Sequence, residues 1–138
     1  MTRRWMLALP VAGWVRGSDR PLMDLFADLA VALSEGEIGV FLSCFDRSMK
    51  GYSDLERDVT ALVGQNNVSC SIEILREGDD GPRRQVELDC LLSIQSRSIS
   101  RTSERRRVAA KCEVRRQGKK WRITSFDPLS LFAPPDGK

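Results

Sequence analysis

Gly64-Gln65-Asn66-Asn67-Val68-Ser69-Cys70-Ser71-Ile72-Glu73-Ile74 is the stretch on which the reading of this 138-residue chain turns. Before it, apolar residues recur every three or four positions; from Val68 onward they recur every second one. The period of a helix gives way to the period of a strand. A run of helices followed by a run of strands is the pattern of an α+β domain.

Downstream, the period of two persists. Glu77-Gly78-Asp79-Asp80-Gly81-Pro82 is a turn cluster, after which Val86, Leu88, Cys90, Leu92 and Ile94 share one face of a second strand. A polar loop from Ser96 to Ser103 leads to Val108, Ala110, Cys112 and Val114 on a third strand. A Gly118-Lys119 turn precedes Trp121, Ile123, Ser125 and Asp127 on the fourth. Four strands joined by hairpin-length loops predict an antiparallel meander with the helices covering one face. The face that looks inward is aliphatic through Val114, and polar groups are expected to join it only at Ser125 and Asp127.

Upstream, Leu22, Leu25, Phe26, Leu29, Ala30 and Leu33 form one apolar stripe, with Asp24 and Asp28 off it. Ser18 or Asp19 is expected to cap this first helix, with Pro21 in its first turn. Ser34-Glu35-Gly36-Glu37 is a junction: Gly36 can close one helix in the left-handed conformation, and Ser34 with Glu37 has capping-box spacing for the next. Ile38, Phe41, Leu42 and Phe45 mark a short second helix, and Met49 to Tyr52 reads as an extended link. Ser53 and Glu56 repeat the capping-box spacing before Leu55, Val59 and Leu62, the stripe of a third helix.

Hydrophobic residues at 41% and charged residues at 30% describe one ordinary folded domain. No run approaches the roughly 18 apolar residues a membrane-spanning helix needs. The formal charge of +3 conceals a sorting: residues 18–81 hold five basic and thirteen acidic side chains, residues 82–122 thirteen basic and four acidic. An acidic helical layer against a basic sheet explains this, and so does a basic face for an anionic partner. No aromatic residues interleave with the arginines, which argues against nucleic acid.

Residues 1–17 read as an export signal. Thr2-Arg3-Arg4-Trp5-Met6-Leu7 has the twin-arginine pattern, followed by a short apolar run and small residues. The alternative is an unprocessed N-terminus. The expected organisation is thus a leader at 1–17, a single domain at 18–132 and a disordered tail at 133–138, in a protein exported to the periplasm.

Ala32-Leu33-Ser34-Glu35-Gly36-Glu37, then Phe41-Leu42 and Phe45-Asp46, and late in the chain Trp121-Arg122-Ile123 with Asp127-Pro128, resemble the nuclear-transport-factor-2-like superfamily. The resemblance spans about Leu22 to Phe132. It implies a cone: three N-terminal helices packed on the concave face of a curved four-stranded antiparallel sheet. It also implies that any chemistry lies inside that cone, where the enzymes of the superfamily use carboxylates, tyrosines or histidines.

This chain has no histidine, which removes a His-based dehydratase mechanism. Asp89 and the strand arginines lie on the outward phase, unsuited to an Asp-Arg-Asp epoxide-hydrolase site. Asp46, Tyr52 and Asp127 are the catalytic candidates, with Asp58 as a further one, a carboxylate as base and Tyr52 as donor. Each has a plain structural alternative: Asp46 ends a helix and Asp127 precedes a proline turn. Phe41, Phe45, Tyr52, Trp121 and Ser125 are the expected ligand-contacting residues.

Cys44, Cys70, Cys90 and Cys112 lack C-x-x-C spacing, so no metal site and no cofactor is expected. The last three share the inward face, where cross-strand bridging and buried free thiols are both open. The reading that follows is a non-catalytic cone domain that binds a small apolar ligand or self-associates as a homodimer through the outer sheet face. The alternative is a small lyase or isomerase acting in the cone with a carboxylate base and Tyr52.

Overall fold

The computed structural model describes residues 16–78, 81–98 and 102–135, with side chains from Pro21 onward. Residues 1–15 of the expected leader and residues 136–138 of the expected tail lie outside the described residues. Three helices, α1 (Arg16–Glu35), α2 (Ile38–Ser43) and α3 (Tyr52–Gln65), precede four strands. The strands are β1 (Asn66–Glu77), β2 (Arg83–Ser96), β3 (Ser103–Gln117) and β4 (Lys120–Asp127), and a short 3-10 turn at Leu129–Phe132 ends the domain. The sheet is an antiparallel meander in the order β1-β2-β3-β4, as the periodicity predicts. Among the described residues no helix is long and apolar enough to cross a membrane.

The stripes predicted for the helices are the ones buried, except that Ala30 of α1 is half-buried and Ala32 is buried instead. Leu22, Leu25, Phe26, Leu29 and Leu33 of α1, Phe41 and Leu42 of α2, and Leu55, Val59 and Leu62 of α3 all belong to one core. Val86, Leu88, Cys90, Leu92 and Ile94 of β2 meet them from the concave side, with Ala110, Cys112 and Val114 of β3. Each of the larger aliphatic side chains contributes roughly 1.5–3 kcal/mol when removed from water. That burial, rather than local propensity, holds the helices against the sheet.

The helix ends differ from expectation. Arg16 is already helical, so Ser18 and Asp19 lie inside α1 rather than capping it, and Pro21 within the helix sacrifices a single backbone bond. At the other end Gly36 (φ 73°) closes α1 as predicted. The Gly36 amide donates to Leu33 O at 3.2 Å and the Glu37 amide to Ala32 O at 2.8 Å, the paired bonds of a Schellman ending. Neither predicted capping box forms. The N-cap of α2 is Glu37 and that of α3 is Gly51, without a side-chain cap bond at either. Ser34 is engaged elsewhere: its hydroxyl donates to Ala30 O and accepts from the Cys70 amide of β1 at 2.9 Å.

Nor is Met49 to Tyr52 extended. The amide of Met49 donates to Asp46 O and that of Tyr52 to Met49 O, two tight turns in succession. Gly51 there has φ 87°, and a Cβ on it would sit 2.8 Å from Leu129 Cδ1. Only glycine meets both conditions at no cost.

Two bulges bend the sheet. On β1 the pairing slips between Ile74 and Arg76, which leaves Leu75 as the extra residue. On β4, Ile123 pairs with Val114 and Ser125 with Glu113, which leaves Thr124 as the extra residue. A bulge re-aims every side chain beyond it. The expected inward phase Trp121-Ile123-Ser125-Asp127 is therefore corrected to Trp121-Ile123-Phe126, with Ser125 and Asp127 exposed.

The chain covers its own β4 edge. Ile123 N donates to Cys44 O and Asp46 N to Ile123 O, both at 2.8 Å, so the segment after α2 runs as a short parallel strand. Past Phe132 the chain is still tied down, since Arg106 Nη1 donates to Leu131 O and Ala133 O.

Candidate functional site

The inside of the cone is built from rings. Phe41 of α2, Phe45 beyond it, Phe126 of β4 and Phe132 of the terminal turn contact one another edge-to-face or tilted. Centroids lie 5.2 Å apart for Phe41–Phe45, 5.1 Å for Phe41–Phe132 and 5.2 Å for Phe126–Phe132. Such pairs are worth about 0.5–1.5 kcal/mol each beyond their burial. Leu88, Cys90, Leu92 and Val114 on the opposing strands have 0% exposure, which leaves no water-sized space against them. Phe41 and Phe45, two of the expected ligand contacts, are thus packing groups in a filled interior.

The remaining candidates are dispersed. Asp46 sits in the turn after α2, where Oδ1 accepts from the Ser48 amide at 2.8 Å and the Ser48 hydroxyl at 2.6 Å. Its Oδ2 accepts from Gln117 Nε2 at the end of β3. The Ser48 hydroxyl, then the Ser48 amide and Gln117, hold the carboxyl below the usual carboxylate range. A carboxylate so satisfied is a poor base. Tyr52 opens α3, partly buried against the core, and Asp58 is 3.6 Å from Arg57. Ser125 and Asp127 open on the other side of the sheet, beyond the Thr124 bulge.

Trp121 has a partner that the sequence reading passed over. The Arg84 guanidinium lies 5.1 Å from its ring centroid and also donates to Glu77 Oε1 at 3.0 Å. Both charged side chains are nearly buried, at 13% and 12% exposure. Arg84 shares the phase of Val86 to Ile94, two positions earlier, and that parity was a signal available in the sequence. Glu77 faces inward because the Leu75 bulge pairs it with Val86. Burial of two opposite charges is tolerable when they meet each other and a ring face.

Open depressions lie elsewhere. One, of about 420 Å³, is on the outer sheet face, with Gln85, Glu87, Lys111, Glu113, Ser125 and Asp127 among its lining. Across it Arg76, Glu87, Lys111 and Asp127 stand opposite one another on successive strands, alternating in sign. Nearby, Arg107 Nη2 bonds Asp89 at 2.9 Å and Arg83 bonds Glu113 at 2.8 Å. Another depression, about 460 Å³, separates α1 from β1 and is lined by Met23, Phe26, Ala27 and the run from Ile72 to Glu77.

All four cysteines are free thiols, three of them buried and Cys70 half-buried. Burial pushes Cys44 and Cys90 up to about 11 and Cys70 up to about 12; Cys112 rises as well, for the same reason. None is poised as a nucleophile.

No protein-family model and no curated protein sequence matches this chain. Its three-dimensional likenesses are clear. A conserved protein from Planctomyces limnophilus superposes with a TM-score of 0.68 at 10% identity, over 80% of this chain and 93% of that one. A protein named as a dehydratase of the nuclear-transport-factor-2-like family from Streptomyces avermitilis gives 0.65 at 11% identity, over 80% and 94%. A hexachlorocyclohexane dehydrochlorinase from Novosphingobium barchaimii gives 0.63 at 14% identity, over 80% and 84%. At such identities the likeness speaks for architecture and leaves activity to the site. With three helices on a curved four-stranded meander, and these neighbours, the chain has the nuclear-transport-factor-2-like fold.

Proposed function

We propose that this domain is an exported, non-catalytic self-association module that pairs with a second copy through the outer face of its sheet. The observation that carries the reading is the interior filled by Phe41, Phe45, Phe126 and Phe132. An enzyme of this architecture needs a base and a donor converging in the cone. Here Asp46 is spent on Ser48 and Gln117, and the inward pair Glu77–Arg84 on each other and on Trp121. A small apolar ligand in the cone would have to displace the rings. Export rests on the Arg3-Arg4 stretch, outside the described residues.

The outer face suits a copy of itself. Glu73, Glu87 and Asp89 place acid on β1 and β2, and Arg105, Arg107, Lys111 and Arg115 place base on β3, with Arg76, Arg83 and Glu113 of opposite sign among them. A two-fold axis parallel to the strands, between β2 and β3, lays Glu87 on the partner's Lys111 and brings Asp89 to the partner's Arg107, at the centre of the face. The test is the solution mass. Twice 15.5 kDa is expected at low salt, with dissociation between about 0.05 and 0.5 M salt as screening grows. Lys111→Glu should give monomer, and adding Glu87→Lys should restore the dimer. A monomer at every salt concentration and at 0.1 mM protein, about a hundredfold above a micromolar Kd, ends the proposal.

A further inference from the structure

We infer that the edge of β1 between Ile72 and Leu75, uncovered among the described residues, is an augmentation site for an extended peptide of a different protein, with the pattern apolar-basic-apolar. The inference is independent of the outer-face pairing. It starts from which backbone groups face outward. The Cys70 amide points away from β2, because it donates to the Ser34 hydroxyl of α1. In an antiparallel pair the outward-facing residues recur every second position. The N–H and C=O groups of Ile72 and Ile74 therefore also face away from β2.

At the opposite edge of the sheet the chain supplies its own covering strand, through Cys44 O and Asp46 N on Ile123. Along Ile72 to Leu75 the structure has instead the groove of about 460 Å³ between β1 and α1. Its walls are apolar apart from Glu73, Arg76 and Glu77 along β1. Phe26 lies at the base, Ile72 and Ile74 are half-buried, and Met23 and Leu75 are 58% and 56% exposed. A row of backbone donors and acceptors at strand spacing, beside apolar side chains, matches an added strand. A compact apolar molecule would leave those backbone groups unmatched.

A second copy is a poor occupant. Antiparallel self-pairing centred on Glu73 sets two carboxylates directly opposite, which is destabilising. Centred on Ile72, it sets Ile74 against Cys70, whose amide Ser34 already holds. Centred on Ile74, it runs into the Leu75 bulge. The charge of a foreign strand also follows. Glu73 is exposed and stands directly beside Asp89, whose carboxylate is taken by Arg107. The residue opposite Glu73 should therefore be Lys or Arg, flanked by apolar residues opposite Ile72 and Ile74.

The test uses two capped pentapeptides, Thr-Val-Lys-Val-Thr and Thr-Val-Glu-Val-Thr, with amide hydrogen exchange read by NMR. The lysine peptide at millimolar concentration should slow exchange at Ile72 and Ile74 by about tenfold, and the glutamate peptide far less. Glu73→Lys, at an exposed position, should reverse that preference. Ile74→Pro removes one outward N–H without touching the β2 pairing and should abolish protection at Ile72. Absence of protection with either peptide overturns the inference. So does equal protection by both peptides that Glu73→Lys leaves unchanged. Protection that rises with protein concentration alone overturns it in favour of self-pairing.

Discussion

Asp46 and Gln117 lie 71 positions apart and are joined by one hydrogen bond, from Nε2 of the amide to Oδ2 of the carboxylate at 2.5 Å. Together with the Asp46 amide on Ile123 O, this bond ties the turn after α2 to the far end of the β3–β4 hairpin. Asp46 is thus a structural clasp.

The clasp predicts a pH-dependent stability. The Ser48 hydroxyl and amide, with Gln117, favour the ionised carboxyl, so its folded pKa lies below the unfolded value. The contribution is then fully present above about pH 4 and is lost as pH falls through the folded pKa. Asp46→Ala should cost about 1 kcal/mol at pH 7, the low end for charge-assisted bonds because the site is partly exposed. Urea melts at pH 7 and pH 3 check this: the gap between wild type and variant should narrow at pH 3. A gap of constant size would mean that packing, not ionisation, is lost.

A second prediction separates two neighbours on β4. Alternation from Trp121 points Ser125 inward; the Thr124 bulge turns Phe126 inward instead, to 5% exposure against Phe45 and Phe132. Phe126→Ala should destabilise by about 3–5 kcal/mol, and Ser125→Ala by no more than about 0.5 kcal/mol. Thermal melts of the two variants side by side decide it, and comparable losses would place the bulge elsewhere.

These two cases show where the sequence was legible. Leu22 to Leu33 and Val86 to Ile94 carry unbroken periods, each enforced by burial of one face, so their inward residues could be named in advance. The bulges at Leu75 and Thr124 leave no composition signal. They depend on how the neighbouring strand bends: one turned Glu77, read as a turn residue, into the cone, and the other turned the candidates Ser125 and Asp127 out of it. The capping boxes failed for a related reason. Ser34 has the right spacing for a local bond, yet the Cys70 amide, 36 positions away, takes its oxygen. Local motifs are readable until a tertiary partner competes for the same atom. Phe132, which completes the ring cluster with Phe41, sat in a stretch with no periodicity to announce it.

The thiols supply a third prediction, with the opposite pH sense to Asp46. An unfolded cysteine ionises near pH 8.5, whereas burial holds Cys44 and Cys90 protonated up to about 11 and Cys70 up to about 12. An acid whose folded pKa is raised keeps its proton in the folded state after the unfolded chain has released it. Stability is therefore unaffected well below pH 8.5 and falls as pH rises above it, until the folded thiol also ionises. Each such thiol contributes a loss of about 1.4 kcal/mol per pH unit in that window. Denaturant melts between pH 8 and 10 should show a steep decline, and Cys70→Ala with Cys90→Ala should flatten part of it. At pH 8 the native protein should resist iodoacetamide, while the denatured, unreduced chain should take up four equivalents, one for each free cysteine. Fewer than four would mean that two inward thiols are bridged across the sheet, and the alkaline decline would shrink accordingly.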